Sequence, residues 1–306
     1  RSSAASDVYK RQVFTTMLTA DQKPALASLI QTGGQVLAFV CIYILTKTTS
    51  GSLSALAFVF SGVPCILVIT ISVIMFHDKR YSLVAPSLLS VRLVLTRNIL
   101  GLGGQFFVIM VSTLFIFQFV NIILSRTQGP EVVTQYNIAY RYFNVVNMIF
   151  IIILNIFWSA FTDAYIKKDS GWMKRIIKKL DTLWLLCIPV LILMILCSEI
   201  IFQWWIGNSV SVPFSLSVCI AVYVFLQTGG NIYMYLINGT SKVRIQLIVY
   251  LLFALTAIPL MTFFAKRFGV EGVLIVPAVV FGLQACIGRI QILKIVNGTA
   301  KGIWLK

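Results

Sequence analysis

Charged residues are scarce in this sequence, and histidine is almost absent. Only 11% of the residues are charged, whereas a soluble domain carries about a quarter. His77 is the single histidine, so the chain lacks the residues for a histidine-based metal site or a Ser-His-Asp triad. The six cysteines lie inside apolar runs, where thiols behave as small hydrophobic groups, and none forms a CxxC pair. We therefore expect no metal, no cofactor, no disulfide framework and no enzymatic activity.

Acidic residues are scarcer still: nine Asp and Glu stand against 25 Lys and Arg, which gives a net charge of +16. A nucleic-acid-binding protein can be this basic, but it needs a basic stretch long enough to form a folded binding module. Here the basic residues form short clusters between apolar runs, which is typical of the cytoplasmic loops of a membrane protein. The sequence therefore predicts contacts with membrane lipids and no nucleic-acid partner.

Long apolar runs dominate what is present, since 59% of the residues are hydrophobic. A bilayer core about 30 Å thick requires about 20 residues of α-helix. Runs of that kind are continuous, unlike the alternating strands of a β-barrel. The eight runs are Leu26–Leu45, Leu53–Phe76, Gln105–Leu124, Val132–Thr162, Leu183–Phe202, Pro213–Ile237, Ile245–Phe264 and Val273–Leu293. The pattern predicts an all-α membrane protein with about eight transmembrane helices.

Lys and Arg fall mainly on one side of this predicted bundle. Among the connections after residue 12, the side that precedes the first run holds sixteen of them and the other side holds four. Cytoplasmic loops carry the excess of Lys and Arg, so the first side is predicted to be cytoplasmic and to include the C-terminus. The connection Asp163–Asp181 carries six of them, which we attribute to topology and to anionic lipid headgroups.

Polar side chains inside the fourth run form a stripe. At 3.6 residues per turn, one sector of about 60° on that helix contains Asn137, Arg141, Asn144 and Asn155. Because polar groups are costly in hydrocarbon, they face a water-filled cavity or another helix. Two interpretations stay open for each residue type. Arg141 either contacts a polar substrate or snorkels to the headgroups, and the asparagines either line a path or bind neighbouring helices.

Other runs also present faces rich in amides. The sixth run carries Tyr223, Gln227, Asn231 and Asn238 on one face, the third carries Gln118 and Asn121, and the first carries Gln31 and Gln35. Amides and tyrosines donate and accept hydrogen bonds without fixed charge, which suits sugar hydroxyls and equally suits contacts between helices. The predicted substrate-binding residues are Arg141, Asn137, Asn144, Asn155, Gln118, Asn121, Tyr223, Gln227 and Asn231.

Several remaining residues are assigned to the membrane interfaces. Glu199 precedes Trp204 and Trp205 near the end of the fifth run, a pattern typical of an aromatic belt. The alternative for Glu199 is a carboxyl group that titrates for proton coupling. Arg289, near the inner end of the eighth run, is predicted to snorkel to the cytoplasmic interface.

Two segments of the chain carry a resemblance to a known family. GPEVVTQYNIAYRYFNVV (Gly129–Val146), followed by FWSAFTDAYIKKD (Phe157–Asp169), resembles the polysaccharide-export branch of the multidrug/oligosaccharidyl-lipid/polysaccharide (MOP) superfamily. The match is nearest to O-antigen flippases, the Wzx-like polysaccharide biosynthesis proteins. ADQKPALASLIQTGGQ (Ala20–Gln35) is similar to the start of that family's fifth helix, and NGTAKGIW (Asn297–Trp304) is similar to its C-termini. The resemblance covers the chain after residue 12, and residues 1–12 look like translated adaptor sequence.

The resemblance implies two six-helix lobes with both termini in the cytoplasm, of which the eight runs would be helices five to twelve. Residues 13–76 would then be the last two helices of the N-terminal lobe, residues 77–104 a cytoplasmic linker, and residues 105–306 the C-terminal lobe with its tail. The natural protein is expected to extend further at its N-terminus. The implied activity is alternating access that moves undecaprenyl-diphosphate-linked oligosaccharide across the bacterial inner membrane, with a proton or a sodium ion as candidate coupling ion.

Three alternatives remain. A drug or cation antiporter of the same superfamily (MATE type) needs an acidic residue deep in a helix, and no Asp or Glu lies in the middle of the eight runs. A membrane-embedded polysaccharide polymerase or ligase is expected to have a large periplasmic loop, whereas the outer connections here are short. A non-transporting scaffold would use its amides for helix packing alone.

Overall fold

The structure is a computed structural model that describes residues 15–18, 21, 23–48, 53–77, 81, 93–207 and 210–305. Residues 1–12, interpreted above as adaptor-like, lie outside the described residues. The same holds for residues 78–80 and 82–92 of the predicted linker.

Long apolar helices make up nearly all of the described chain. They are α1 (Pro24–Thr48), α2 (Leu53–His77), α3 (Leu93–Thr127), α4 (Pro130–Ile166), α5 (Ser170–Ile206), α6 (Phe214–Thr240) and a final helical stretch, Arg244–Val296. A short 3₁₀-helix, Gly302–Leu305, closes the C-terminus. Among the described residues, no strand is present.

The final stretch is two membrane helices rather than one. Its 53 residues would form about 80 Å of helix, far more than a bilayer core of about 30 Å. Gly269 interrupts it with φ 63° and ψ −138°, a conformation that glycine tolerates because it has no Cβ. We label residues 244–268 α7 and residues 270–296 α8. With this division, the predicted fold class of about eight membrane-spanning helices is confirmed.

Two helices begin about three turns before their predicted runs: α3 at Leu93 and α5 at Ser170. The first turns of α5 bury Met173, Ile176 and Ile177 and expose the basic side chains between them. Such a segment is helical through amphipathic packing, although its charge excludes it from an apolar run. Residues 170–181, interpreted above as part of a loop, are therefore helical.

The chain divides into two compact units, and the first ends at Leu93. It contains α1 and α2, which pack against each other where Gly34 faces Pro64. A Cβ added to Gly34 would lie 3.0 Å from the Cβ of Pro64. The absence of a side chain at Gly34 therefore lets the two helices approach closely, as small residues do in membrane helix pairs.

The second unit begins at Val94 and contains α3 to α8. Its core is continuous, and α6 lies at the centre. In the most apolar 18-residue segment of α6, 67% is buried, whereas the corresponding share is at most 33% in every other candidate span. The same helix is among the least hydrophobic of those spans. A helix surrounded by protein does not need a lipid-compatible surface, so α6 can carry amides and glycines that an outer helix could not.

Candidate functional site

One side of α4 is not covered by the other helices of the second unit. One half of this exposed side is an apolar face, and the other half is polar. Its apolar face contains Val145, Ile149, Ile152 and Ile156, which are 49% to 65% exposed. Their spacing of three and four residues aligns them along the helix. A continuous row of exposed aliphatic side chains on a membrane helix is suited to contact with lipid acyl chains.

The other half is polar, and we call it the polar strip of α4. It is centred about 80° around the helix from the apolar face and contains Asn137, Arg141, Asn144 and Asn155. Arg141 and Asn155 are exposed, whereas Asn137 and Asn144 are half-buried; Met148 interrupts the strip. Because a guanidinium and several amides are poorly accommodated by hydrocarbon, this half of the uncovered side is suited to water or to a polar ligand.

A chain of hydrogen-bonded amides leads from the polar strip into the bundle. Asn147 Nδ2 donates to Asn144 Oδ1 (3.1 Å), and Asn231 Nδ2 on α6 donates to Asn147 Oδ1 (2.9 Å). Hydrogen bonds of this kind between membrane helices contribute on average about 0.6 kcal/mol. Sequence reasoning missed Asn147, although it is an amide one turn after Asn144 in the same run. The missing information was that α6 lies on that side of α4.

Tyrosines form a second link between α4 and α6. Gln227 Nε2 donates to the hydroxyl oxygen of Tyr140 (3.2 Å). The Tyr140 ring stacks on Tyr223, with 5.9 Å between the ring centroids, and on Tyr136, with 5.7 Å. Tyr223 is 1% exposed, Gln227 4% and Asn231 7%. The structure therefore places these three predicted substrate-binding residues within contacts between helices rather than on an open surface.

The two predicted residues of α3 lie in different surroundings. Asn121 is half-buried, and its Oδ1 accepts a hydrogen bond from Asn137 Nδ2 (3.1 Å), which joins it to the edge of the polar strip. Gln118 is exposed between Leu114 and Ile122, which are 58% and 43% exposed. Asn121 thus belongs with the polar strip, and Gln118 does not.

An ion pair and a hydrogen bond to the same carboxylate join three helices of the second unit near their predicted cytoplasmic ends. Asp181 on α5 accepts a short hydrogen bond from the Tyr233 hydroxyl of α6. Its other oxygen lies 3.0 Å from Arg289 Nη2 of α8. The Asp181 side chain is 16% exposed and that of Arg289 is 55% exposed. Arg289, predicted to snorkel, thus also balances a largely buried carboxylate.

This ion pair should stabilise the second unit measurably. Asp181→Asn removes the charge that Arg289 and Tyr233 contact, and we expect a loss of about 1–3 kcal/mol, seen as a lower thermal unfolding temperature in detergent. Asp163→Asn is the matched control, because Asp163 pairs with Lys167 on the helix surface at 2.8 Å and such pairs contribute about 0.3–0.5 kcal/mol. Equal effects of the two substitutions would show that the pair of Asp181 and Arg289 contributes no more than a surface pair.

Solved structures resemble this chain, whereas no protein-family model matches it and no curated protein matches it. An outward-facing multidrug resistance MATE family transporter of the MOP superfamily superposes with a TM-score of 0.75 at 17% identity, covering 98% of this chain and 68% of that one. A MATE structure in the straight conformation gives 0.72 at 15% identity (93% and 66%), and one in the bent conformation gives 0.71 at 15% identity (91% and 64%). The chain spans about two thirds of the length of these structures. It has the fold of MATE family transporters over that length.

Proposed function

We propose that this chain is part of a flippase that moves undecaprenyl-diphosphate-linked oligosaccharide across the bacterial inner membrane. The transported unit would be an O-antigen repeat or another surface-polysaccharide repeat. The observation that carries the proposal is the polar strip of α4, where Arg141 is exposed beside a face suited to lipid. The fold supports a transporter, and its straight, bent and outward-facing relatives are consistent with alternating access.

The substrate chemistry fits the residues of the strip. A diphosphate carries negative charge and a glycan carries many hydroxyls, so neither enters hydrocarbon without compensating partners. The forked guanidinium of Arg141 is matched to phosphate oxygens. The amides of Asn137, Asn144 and Asn155 donate and accept hydrogen bonds without adding charge, as sugar hydroxyls require. Arg141 would therefore contact the diphosphate, and the three asparagines would contact the glycan.

The depth of Arg141 agrees with a contact at the headgroup end of such a substrate. α4 has 37 residues, about 55 Å of helix, so it extends beyond a hydrocarbon core of about 30 Å. The charge bias of the sequence predicts that α4 starts on the periplasmic side, and Arg141 lies about 17 Å along the axis from Pro130. With that orientation, and with the helix centred on the hydrocarbon core, Arg141 would lie in the outer part of the membrane, where diphosphate and hydrocarbon meet.

A drug or cation antiporter is the second candidate, because a relative with this fold is described as a multidrug resistance transporter. A cationic substrate requires an acidic partner, and the acidic residues of α4, Glu131 and Asp163, lie near its two ends. The largely buried Asp181 is already paired with Arg289 and Tyr233. Within the described residues, the exposed polar surface of α4 therefore suits an anion better than a cation.

Transport by the purified full-length protein in vesicles separates the two candidates. One set of vesicles contains undecaprenyl-diphosphate-linked oligosaccharide with a terminal galactose, and its oxidation by membrane-impermeant galactose oxidase reports the leaflet that it occupies. A second set contains ethidium and an imposed proton or sodium gradient. We expect protein-dependent movement of the glycolipid and no gradient-driven efflux of ethidium. Ethidium efflux without glycolipid movement would contradict the proposal and favour the antiporter.

A further inference from the structure

A cleft of ≈ 380 Å³ lies where α5 ends and α6 begins, apart from the polar strip of α4. The last turns of α5 form one wall, and residues 210–213 with Phe214, the first residue of α6, form the other. Small-molecule sites occupy about 300–1,000 Å³, so the cleft has room for a short saccharide and not for a folded partner. Its lining includes Glu199, Phe202, Gln203, Ser211, Val212 and Phe214.

Two polar side chains of α5 face this cleft together. Glu199 and Gln203 are four residues apart, so they lie on the same face of the helix, and both are exposed. Within the part of the chain that the structure describes, neither side chain has a hydrogen-bond partner. A carboxylate accepts hydrogen bonds, and an amide both donates and accepts them. The pair therefore offers complementary contacts to adjacent hydroxyl groups.

Apart from Ser211, the other wall of the cleft is lined by apolar residues, among them Val212 and Phe214. Phe214 is 63% exposed at the start of α6. An aromatic ring provides a flat hydrophobic surface, which is complementary to the C–H face of a sugar ring whose hydroxyls lie around its rim. An exposed ring in the same cleft as a carboxylate and an amide thus combines the two kinds of contact that an uncharged sugar requires.

Packing inside the unit holds the α5 wall in place. The Phe202 ring contacts Tyr142 of α4 edge-on, with 5.3 Å between the ring centroids. The Tyr142 hydroxyl in turn donates to the backbone carbonyl of Met194 (3.2 Å). A wall fixed by its neighbours loses little conformational entropy when a ligand binds.

The cleft lies at a membrane boundary. Trp204 and Trp205 follow Gln203 and are 87% and 51% exposed, as expected for an interfacial aromatic belt. The charge bias of the sequence assigns this end of α5 to the periplasm. The Glu199 carboxylate would repel a diphosphate, so the ligand of this cleft is the glycan and not its phosphate linkage.

We infer that this cleft binds an uncharged sugar residue of the transported oligosaccharide at the periplasmic boundary. Glu199 and Gln203 bind its hydroxyls, and Phe214 covers its apolar face. The inference rests on the proposed function, because that function supplies the glycan.

Ligand-observed saturation-transfer NMR tests it with the full-length protein in detergent and free sugars without a lipid carrier: glucose, galactose, mannose, rhamnose and N-acetylglucosamine. We expect saturable binding of at least one sugar, weakened about tenfold by Glu199→Gln, as for the loss of a charge-assisted hydrogen bond. Phe214→Ala should weaken it independently. Ile200→Ala is the control, because Ile200 is 71% exposed and does not line the cleft.

The sugar-binding and vesicle experiments together distinguish failure of the sugar site from failure of the flippase function. Binding that is unchanged by both Glu199→Gln and Phe214→Ala, with unfolding temperatures like that of the parent protein, overturns the inference, and so does the absence of binding by all five sugars. Glycolipid movement in vesicles without sugar binding would contradict the inferred sugar site but not the proposed flippase function. Sugar binding at the cleft without glycolipid movement would contradict the proposed flippase function, and the cleft would then be a sugar-binding site with no link to transport.

Discussion

Arg141→Ala is expected to reduce movement of lipid-linked oligosaccharide in vesicles by about tenfold to a hundredfold, because a hydrogen bond to a charged group contributes about 1.5–3 kcal/mol. In cells, the same substitution in the full-length protein should abolish surface polysaccharide. The physical reason is the position of the side chain, which is exposed on the polar strip within the membrane span. Without the guanidinium, the diphosphate would lose its cationic partner on this strip.

Controls separate this role from general effects of charge and surface. Arg141→Lys keeps the charge but not the forked donors, so it should restore transport only in part. Arg126→Ala removes another exposed arginine, at the end of α3, and Ile149→Ala alters the apolar face of α4. Both controls should leave transport near the parental rate. Normal transport by Arg141→Ala, at equal expression, would show that Arg141 only snorkels to the headgroups.

The number and type of helices could be predicted from the sequence because hydrocarbon imposes a simple length requirement. Even the break at Gly269 falls between two runs that were predicted separately. The starts of α3 and α5 could not be predicted in this way, because these turns lie beyond the lipid-facing runs and are mixed in character. These turns are helical because residues such as Ile176 and Ile177 pack against the rest of the unit. The length and hydrophobicity of the apolar run do not predict this packing.

The hydrogen-bond partners of the polar side chains could not be predicted from a single sequence either. Helical spacing predicts that Gln227 and Asn231 share a face, but it does not say that α4 covers this face. Both residues lie on α6, the most buried candidate span of the described chain, so their amides bind Tyr140 and Asn147. The pairing of Asp181 with Arg289, 108 positions apart, likewise arises only from the way α5 and α8 pack.

The amides of this chain therefore have at least two roles, and burial distinguishes them. Asn147, Gln227 and Asn231 are buried and hydrogen-bonded across helices, which is what the scaffold alternative predicted for all of them. Arg141 and Asn155 are exposed on α4, and packing within the second unit does not account for them. The case for a polar ligand therefore depends first on this exposed pair, with the half-buried Asn137 and Asn144 beside it on the polar strip.

Gly230→Ala should destabilise the second unit. A Cβ at Gly230 would lie 2.9 Å from the Phe281 carbonyl oxygen and 2.7 Å from the ring carbon Cδ1 of Phe281. A backbone carbonyl cannot rotate away, so α6 and α8 must separate. The displaced Phe281 ring contacts Phe117, Tyr223 and Tyr250, with ring centroids 5.7 to 6.4 Å apart. We expect a loss of about 1–3 kcal/mol or more from overpacking.

Gly282→Ala is the matched control on α8, since its Cβ would meet only Leu226 Cδ2, at an ordinary 3.8 Å. Alanine is favoured over glycine within a helix by about 1 kcal/mol, so Gly282→Ala should leave the unfolding temperature unchanged or raise it, whereas Gly230→Ala should lower it. Gly230→Ala has the same gain in helix propensity, so any destabilisation measures the clash with Phe281. An unfolding temperature for Gly230→Ala equal to that of Gly282→Ala would mean that α6 and α8 are not in close contact at Gly230.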